Sequence, residues 1–181
     1  MPNQEKYRVV NYNIKFITTR DRRYLENIIL ELKLENNRIF RMSGISYDVA
    51  MEIKKYLALE SNLDIPTIND PRFTIYDMLL EIPDLEKILH GTIKEVVIDY
   101  YDPEFSIYGA SVILDDAYTV MKKKLLMIPS HAILLALLAN RNVYVSKRLV
   151  DGQDDSEIEF INPIFFESDE DEDEDEWDDE P

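Results

Sequence analysis

The 181-residue chain contains no cysteine, only four glycines, two histidines and one tryptophan. Without cysteine there is no disulfide framework, no thiolate metal site and no cysteine nucleophile. So few glycines leave no glycine-rich phosphate loop, and two histidines far apart do not form a paired-histidine zinc motif. No serine lies in a nucleophile elbow. Several common classes of enzyme are therefore excluded.

Long hydrophobic runs are also missing. The longest apolar run, residues 132–139, is far shorter than the roughly 20 residues that a membrane span needs. The first six residues are polar and have no apolar signal core. Because 45% of the residues are hydrophobic, the chain can still build a packed core. We expect a cytoplasmic protein with no membrane partner.

Basic residues are absent after Arg148, although the chain has 20 of them against 37 acids and a net charge of −17. Residues 1–150 hold 20 acids and all 20 bases, so this part is neutral. Residues 151–181 hold the other 17 acids, with one apolar island at residues 160–166. Because like charges repel, we expect an acidic tail, residues 151–181, that is disordered when free and follows one domain, residues 1–150.

Alternation of apolar and polar residues predicts strands separated by short polar turns. In residues 9–17, for example, it places Val10, Tyr12, Ile14 and Phe16 on one face. The predicted strands are residues 9–17, 28–34, 38–42, 93–101, 105–114, 118–126 and 143–146. The second and third form a hairpin around Asn36-Asn37, and the next three form an antiparallel meander.

Helical spacing of apolar residues predicts a helix over residues 47–59. Thr74 and Asp77 resemble a capping box, followed by an apolar stripe and then by a short helix from Pro83 to the stop signal at Gly91. Pro129 begins a helix that is apolar all round and therefore buried. This order of elements predicts an α+β fold: a single compact domain with a mostly antiparallel sheet and three or four helices.

Each histidine has a structural and a functional interpretation. His90 precedes Gly91 at a predicted helix end, where an imidazolium suits the helix dipole, and this favours capping over catalysis. His131 follows Ser130 in the first turn of the buried helix. A lone histidine there is more often hydrogen-bonded structure than a proton shuttle.

Carboxylates and lysines form the remaining candidate sites. Asp115 and Asp116 are oxygen ligands that suit a hard cation, but Asp also favours hairpin turns. Two basic groups could hold nucleic-acid phosphates, although lysines also protect exposed sheet edges from aggregation. These basic residues are Lys122, Lys123, Lys124, Lys147 and Arg148.

Two segments resemble the bifunctional nuclease domain family, which is also described as a domain of unknown function. Residues 129–137, Pro-Ser-His-Ala-Ile-Leu-Leu-Ala-Leu, and the Val-Tyr-Val of residues 143–145 are similar to its Pro-Ser-Asp-Ala-Ile-Ala-Leu-Ala signature and following strand. Residues 72–79, Arg-Phe-Thr-Ile-Tyr-Asp-Met-Leu, are similar to its Arg-Pro-Leu-Thr-His-Asp-Leu-Leu segment. In order of elements the resemblance spans about residues 8–150.

The resemblance implies a compact α+β domain that forms homo-oligomers. It also implies a nuclease that acts on RNA and DNA with a divalent metal, magnesium or manganese. On the matching positions, Arg72 is the candidate phosphate clamp, Asp77 a metal ligand and Ser130 a candidate catalytic residue. The chemistry of His131, next to Ser130, makes it the candidate general acid or base.

The chain departs from the family pattern at charged positions. Leu126 and Ile128 stand where the family has Asp and Arg before the proline, His131 replaces an Asp, and Tyr76 replaces a His. These losses favour an alternative function, a non-enzymatic oligomeric binding protein whose acidic tail engages a basic protein partner. A third interpretation of the tail is a solubilising appendage.

Overall fold

The computed structural model describes residues 5–18, 25–61, 74–115 and 123–154. Its strands are β1 (Lys6–Thr18), β2 (Leu25–Leu34), β3 (Ile39–Met42), β4 (Ile93–Asp102), β5 (Ile107–Leu114), β6 (Lys123–Met127) and β7 (Val143–Ser146). Its helices are α1 (Tyr47–Ser61), α2 (Ile75–Leu80), α3 (Leu85–Thr92), α4 (Pro129–Leu138) and α5 (Lys147–Asp154).

The seven strands form one sheet in the order β3-β2-β1-β7-β4-β5-β6. All neighbouring pairs are antiparallel except β4 and β7, which are parallel. The predicted α+β class is confirmed, and the predicted mostly antiparallel sheet is matched in part, because the sheet is mixed. The described residues form five helices instead of the predicted three or four.

The N-terminal hairpins follow the sequence pattern closely. Leu30, Leu32 and Leu34 of β2 are fully buried on the core face, as their alternation with polar residues predicts. The β2–β3 hairpin is confirmed, with Asn37 at a φ of 67° in its turn. Asn tolerates this left-handed backbone better than most residues, which explains its place in the turn.

A β-bulge in β1 changes the face that one residue occupies. The pairing with β2 shifts between Val9, which faces Leu34, and Asn11. Val9 is therefore buried, whereas Val10 is 48% exposed. The prediction that Val10 shares the inner face with Tyr12 is wrong, because the inserted residue reverses the alternation before it.

The core lies between the inner face of the sheet and the apolar helix α4. Ala132, Ile133 and Ala136 of α4 are fully buried, which confirms the buried helix that starts at Pro129. The sheet curls enough for Phe40 of β3 to meet Tyr108 of β5 edge to face, with ring centroids 5.2 Å apart. The curvature thus brings strands from opposite halves of the sheet around one core.

The two short helices before β4 match the sequence in part. The capping box of Thr74 and Asp77 is confirmed at the start of α2. The predicted start of the next helix at Pro83 is wrong, because Asp84 adopts a φ of 59° and α3 begins at Leu85. α3 ends at Thr92, one residue after the predicted stop at Gly91, and Gly91 does not adopt the positive φ of a glycine cap.

The sequence did not predict α5, which continues four residues past the compositional boundary at residue 150. Leu149 and Val150 of this helix are buried in the core. Arg38 Nη1 lies 2.6 Å from Asp151 Oδ1, and Arg38 Nη2 donates to the Val150 carbonyl at 2.9 Å. Contacts with β3 and its turn therefore hold the first part of the acidic region in a helix.

The apolar stripe predicted after the capping box lies on the surface of α2 and α3. Four of its apolar side chains are strongly exposed: Ile75, Met78, Ile82 and Ile88. No helix among the described residues is long and apolar enough to cross a membrane.

Candidate functional site

Asp77 is the third residue of α2, where it completes a capping box. Its Oδ2 accepts from the Thr74 backbone N–H at 2.8 Å and from the Thr74 hydroxyl at 2.9 Å. The Asp77 backbone N–H donates to Thr74 Oγ1 at 3.2 Å. The Thr-Ile-Tyr-Asp spacing alone produces this local geometry, because it satisfies N–H groups that have no partner within the helix.

The other carboxylate oxygen of Asp77 is bound by a residue that is 22 positions away. Lys55 of α1 donates to Asp77 Oδ1 and lies 3.7 Å from Glu52 Oε1, one helical turn earlier. The hydrogen bond between Lys55 and Asp77 raises the pKa of the lysine and lowers that of the aspartate. Both groups are thereby held in their charged forms, and α1 is tied to α2.

Glu52 is the most buried carboxylate of this group, with 8% exposure. Burial raises its pKa, and the negative charge of Asp77 adds to the effect while Lys55 opposes it. Thr74 Oγ1 lies 3.3 Å from Glu52 Oε1. We call these four residues, Glu52, Lys55, Thr74 and Asp77, the α1–α2 cluster.

Three further titratable residues lie around the same part of α1. A hydrogen bond from Ser46 lowers the pKa of Asp48, and the nearby His131 of α4 acts in the same direction. Burial raises the pKa of Tyr76, helped by the charges of Asp48 and Glu52. The fold therefore brings two of the sequence candidates, Asp77 and His131, to one side of α1.

Ser130, the other candidate residue in α4, is buried. It is only 3% exposed in the first turn of α4, so a bound substrate cannot reach its hydroxyl without movement of the helix. Arg72, the candidate phosphate clamp, lies outside the described residues.

The geometry limits what Asp77 can do as a metal ligand. Both of its oxygens already accept hydrogen bonds, from Lys55 on one side and from Thr74 on the other. Within the described residues, no group of three or more His, Asp or Glu side chains is arranged to hold a metal ion. A divalent metal at Asp77 would have to displace the Lys55 ammonium.

The aspartates proposed for a second metal position lie at the end of β5. Asp115 is exposed, and its backbone N–H donates to the Thr92 carbonyl at 2.8 Å. This bond extends the β4–β5 pairing by one residue, and the segment in which the turn was predicted continues outside the described residues. Asp116 lies outside the described residues.

Two of the predicted phosphate-binding residues converge on Asp99 of β4. Lys124 Nζ lies 2.8 Å from Asp99 Oδ2, and Arg148 donates to the Asp99 carbonyl at 3.2 Å. The buried Ser111 donates to the other carboxylate oxygen at 2.6 Å. Asp99 is therefore held by groups from β5, β6 and α5, and it offsets part of the positive charge of the patch.

The remaining basic candidates are spread apart. Lys147 pairs with Glu5, with Nζ 2.7 Å from Oε2, at the start of β1. Lys123 is exposed on β6, and Lys122 lies outside the described residues. Lys124 and Lys147 are thus each paired with an acidic side chain.

His90 has a structural partner on another helix. Its Nδ1 lies 2.9 Å from the Ala139 carbonyl, which can only accept, so the ring donates through this nitrogen. Arg141 in turn donates to the His90 carbonyl. His90 thus joins the C-terminal ends of α3 and α4, and it caps α4 rather than its own helix.

Sequence reasoning missed two members of the α1–α2 cluster, Glu52 and Lys55. A signal was present, because Asp48, Glu52 and Lys55 are spaced by four and three residues on one predicted helix and so share a face. What the spacing could not show was which element covers that face.

No protein-family model matches the chain, and a search of the curated proteins finds no relative.

Proposed function

We propose that the chain is a non-enzymatic binding protein whose acidic tail engages a basic protein partner. The observation that supports this choice is the engagement of Asp77, whose two oxygens already bind Lys55 and Thr74. Asp77, the candidate with the best motif match, therefore has both carboxylate oxygens engaged in contacts that stabilise the fold. The function is then left to the 17 acids of residues 151–181, which no base in that segment neutralises.

The folded domain gives this tail a fixed starting point. The Arg38–Asp151 ion pair and the buried Gln153 hold the last turn of α5 against β3. A polyanion that starts at a fixed place on a neutral domain attracts basic partners over a distance set by ionic strength. We infer that the domain positions the tail and that the tail supplies the attraction.

Trp177 allows a direct test, because it is the only tryptophan and lies within the acidic run. We expect its fluorescence to change in a saturable way when a lysine- and arginine-rich peptide of defined length is added to the full chain. The binding should weaken as salt rises. A neutral peptide of the same length and helicity serves as the control.

The matched variant replaces the acids of residues 169–176 by their amides and leaves Trp177 in place. It should lose the response to the basic peptide. An unchanged affinity in this variant would reject the tail as the binding element, and the absence of any response in the natural chain would reject the proposed function.

The family resemblance supports a second proposal, a metal-dependent nuclease that acts on RNA and DNA. The observation in its favour is the grouping of Asp77, Asp48, Glu52 and His131 around one side of α1. In this mechanism Arg72 clamps the phosphate, a carboxylate holds magnesium or manganese, and His131 transfers a proton.

Cleavage of labelled single-stranded RNA and DNA, with magnesium or manganese, tests the nuclease. Asp77→Asn and His131→Ala should abolish cleavage, whereas Asp84→Asn, at an exposed position before α3, should not. Because Asp77→Asn also weakens a helix cap, unfolding by urea must be measured on the same samples. Activity that survives both substitutions would reject this site.

Homo-oligomer formation is a further proposal that rests on the resemblance. The exposed stripe of Ile75, Met78, Ile82 and Ile88 is apolar surface that a second copy would bury. Sedimentation equilibrium should show a mass above that of one chain, and Met78→Glu should reduce it. A monomer at all concentrations would refute the proposal.

A further inference from the structure

We propose that residues 164–170 of the tail add to the sheet as a further strand in the same chain, pairing antiparallel with the edge of β6 that no described strand occupies. This inference concerns the folded protein without any partner. It therefore does not depend on the proposed function, and either one can fail alone.

β6 ends the strand order, and among the described residues it pairs only with β5. Leu125, Leu126 and the following Ile128 are 37%, 61% and 60% exposed. An exposed apolar edge strand is a template for the addition of another strand.

The tail and β6 have opposite orders of residue types. Residues 123–128 are Lys-Lys-Leu-Leu-Met-Ile, with bases first and apolar residues after them. Residues 164–170 are Ile-Phe-Phe-Glu-Ser-Asp-Glu, with apolar residues first and acids after them. With Ile164 opposite Ile128, antiparallel pairing places Phe165 and Phe166 opposite Met127 and Leu126, and it places Asp169 opposite Lys123. Parallel pairing would place Phe beside Lys and acids beside Leu, so the charges select the antiparallel direction.

The described part of the chain ends close to β5, the neighbour of β6. Gln153, near the end of α5, donates to the hydroxyl of Tyr108 at 3.4 Å. Tyr108 lies two residues before Ala110, which pairs with Met127, so it is level with the C-terminal end of β6. An antiparallel strand on β6 has to begin at that end.

The connection is also long enough. The ten residues from 155 to 164 span at most about 33 Å when extended. Neighbouring strands lie about 4.8 Å apart, so the segment has ample length to pass β5 and reach β6. A docking within one chain therefore needs no second copy.

The outer surface beside β6 offers apolar contacts for the aromatic side chains. Gly109 of β5 has no side chain, and Leu126 Cδ1 and Tyr100 Cδ1 both lie 3.0 Å from the place where its Cβ would be. Leu126 and Tyr100 thus approach each other over the glycine and remain largely exposed. This surface suits Phe165 or Phe166, while Lys123, exposed at the start of β6, lies toward the acids that follow.

The consequence is that the tail covers the β6 edge and places acids near Lys123 when no partner is bound. A partner that binds the tail would then displace it from β6, so binding at the tail and exposure of the β6 edge are linked.

The test uses the absence of cysteine, since a single introduced cysteine takes a spin label without a competing site. Ser168→Cys in the full chain, labelled with a nitroxide, should strongly weaken the amide signals of Lys124, Leu125 and Leu126 in NMR spectra. Signals from α1 should keep their intensity. Gly152→Cys is the control label: its Cβ would contact nothing within 4 Å, and it should affect Arg41 and Tyr108.

A mixed sample separates one chain from two. Spin-labelled protein without isotope is combined with isotope-labelled protein without the spin label, and the β6 signals should then be unaffected. Signal loss only in the mixed sample would show docking on a second copy and overturn the proposal. Signal loss spread over other surfaces, or none at β6, would overturn it as well.

A pair of variants tests the chemistry of the pairing. Phe165→Ser with Phe166→Ser, in the labelled Ser168→Cys chain, should restore the β6 signals. Trp177→Ser removes an aromatic residue outside the pairing segment and should not. Since all these changes lie after residue 154, they leave the described domain unaltered. Restoration by Trp177→Ser, or none by the Phe pair, would contradict the pairing.

Discussion

The side chain of Gln153 pairs with both backbone polar groups of Arg41. Its Oε1 accepts from the Arg41 N–H at 2.7 Å, and its Nε2 donates to the Arg41 carbonyl at 2.7 Å. Arg41 belongs to β3, the strand at the opposite end of the sheet from β6. The side-chain amide of Gln153 thus hydrogen-bonds to both backbone groups of Arg41 on the edge of β3, and this holds the end of α5 in place.

Replacement of Gln153 by Met keeps the length of the side chain but removes both hydrogen bonds. Because Gln153 is buried, the two Arg41 backbone groups would lose partners that water replaces poorly. We expect a loss of about 1–3 kcal/mol in the free energy of unfolding, measured with urea. A change within about 0.5 kcal/mol, the usual range for surface substitutions, would contradict this role of Gln153.

Glu31 predicts a pH dependence of stability. Burial alone would raise its pKa, but hydrogen bonds from Lys15, Asn13 and Arg41 lower it from 4.5 to about 2. Because the folded pKa is below the unfolded value, ionised Glu31 stabilises the fold above about pH 4.5. That contribution is lost as the pH falls toward 2.

The measurement is the free energy of unfolding of the natural chain and of Glu31→Gln between pH 7 and pH 3. The natural chain should be the more stable at pH 7, and the difference should shrink as the pH falls. Glu26→Gln, at an exposed position on the same strand, is the control. A difference that stays constant with pH would refute the role of the carboxylate.

Thr74→Ala tests the cap of α2. The substitution removes the hydroxyl that accepts from the Asp77 N–H, and N-cap losses of this kind cost about 0.5–2 kcal/mol. Thr74→Ser retains the hydroxyl and should restore most of the stability. If Ser and Ala behave alike in urea unfolding, the capping box is not what stabilises α2.

A double-mutant cycle with Lys55→Met and Asp77→Asn measures the coupling energy of the Lys55–Asp77 ion pair. Asp77 is 14% exposed, so water screens the pair less than it screens a pair on the open surface. We expect a favourable coupling energy of about 1 kcal/mol or more, compared with about 0.2–1 kcal/mol for exposed pairs. Additive effects of the two substitutions would show that α1 and α2 are not joined by this contact.

Gly109→Ala tests the packing between β5 and β6. The new Cβ would come within 3.0 Å of Leu126 Cδ1 and 3.2 Å of Tyr100 Cβ, so both side chains must shift. We expect a destabilisation of about 1–3 kcal/mol in urea unfolding, as for other overpacked positions. Gly152→Ala meets open space and is the matched control. Equal effects of the two alanines would contradict the close packing of Gly109.

Local patterns determined much of the secondary structure. The alternation that buries Leu30, Leu32 and Leu34 predicts β2, and the Thr74–Asp77 spacing predicts the cap of α2. The apolar character of α4 on all sides predicts its burial. These features depend on neighbouring residues, so a sequence pattern can express them.

The starts, stops and bulges were less predictable. α3 ends one residue after Gly91 without a positive φ at that glycine, and β4 begins at the next residue. The bulge that exposes Val10 depends on the register with β2, which involves residues more than 20 positions away. Such details follow from the alignment of partners rather than from local preference.

The sequence by itself determined the separation of charge, the α+β class and the local cap that engages one side of Asp77. Only the tertiary structure decided that Lys55 occupies the other side, that β7 lies parallel to β4, and that Gln153 reaches Arg41. The reason is physical. Each of these contacts joins segments that are far apart in the chain. Such a contact forms only when the whole sheet packs around a shared core. A local sequence pattern describes only one of the two segments that meet.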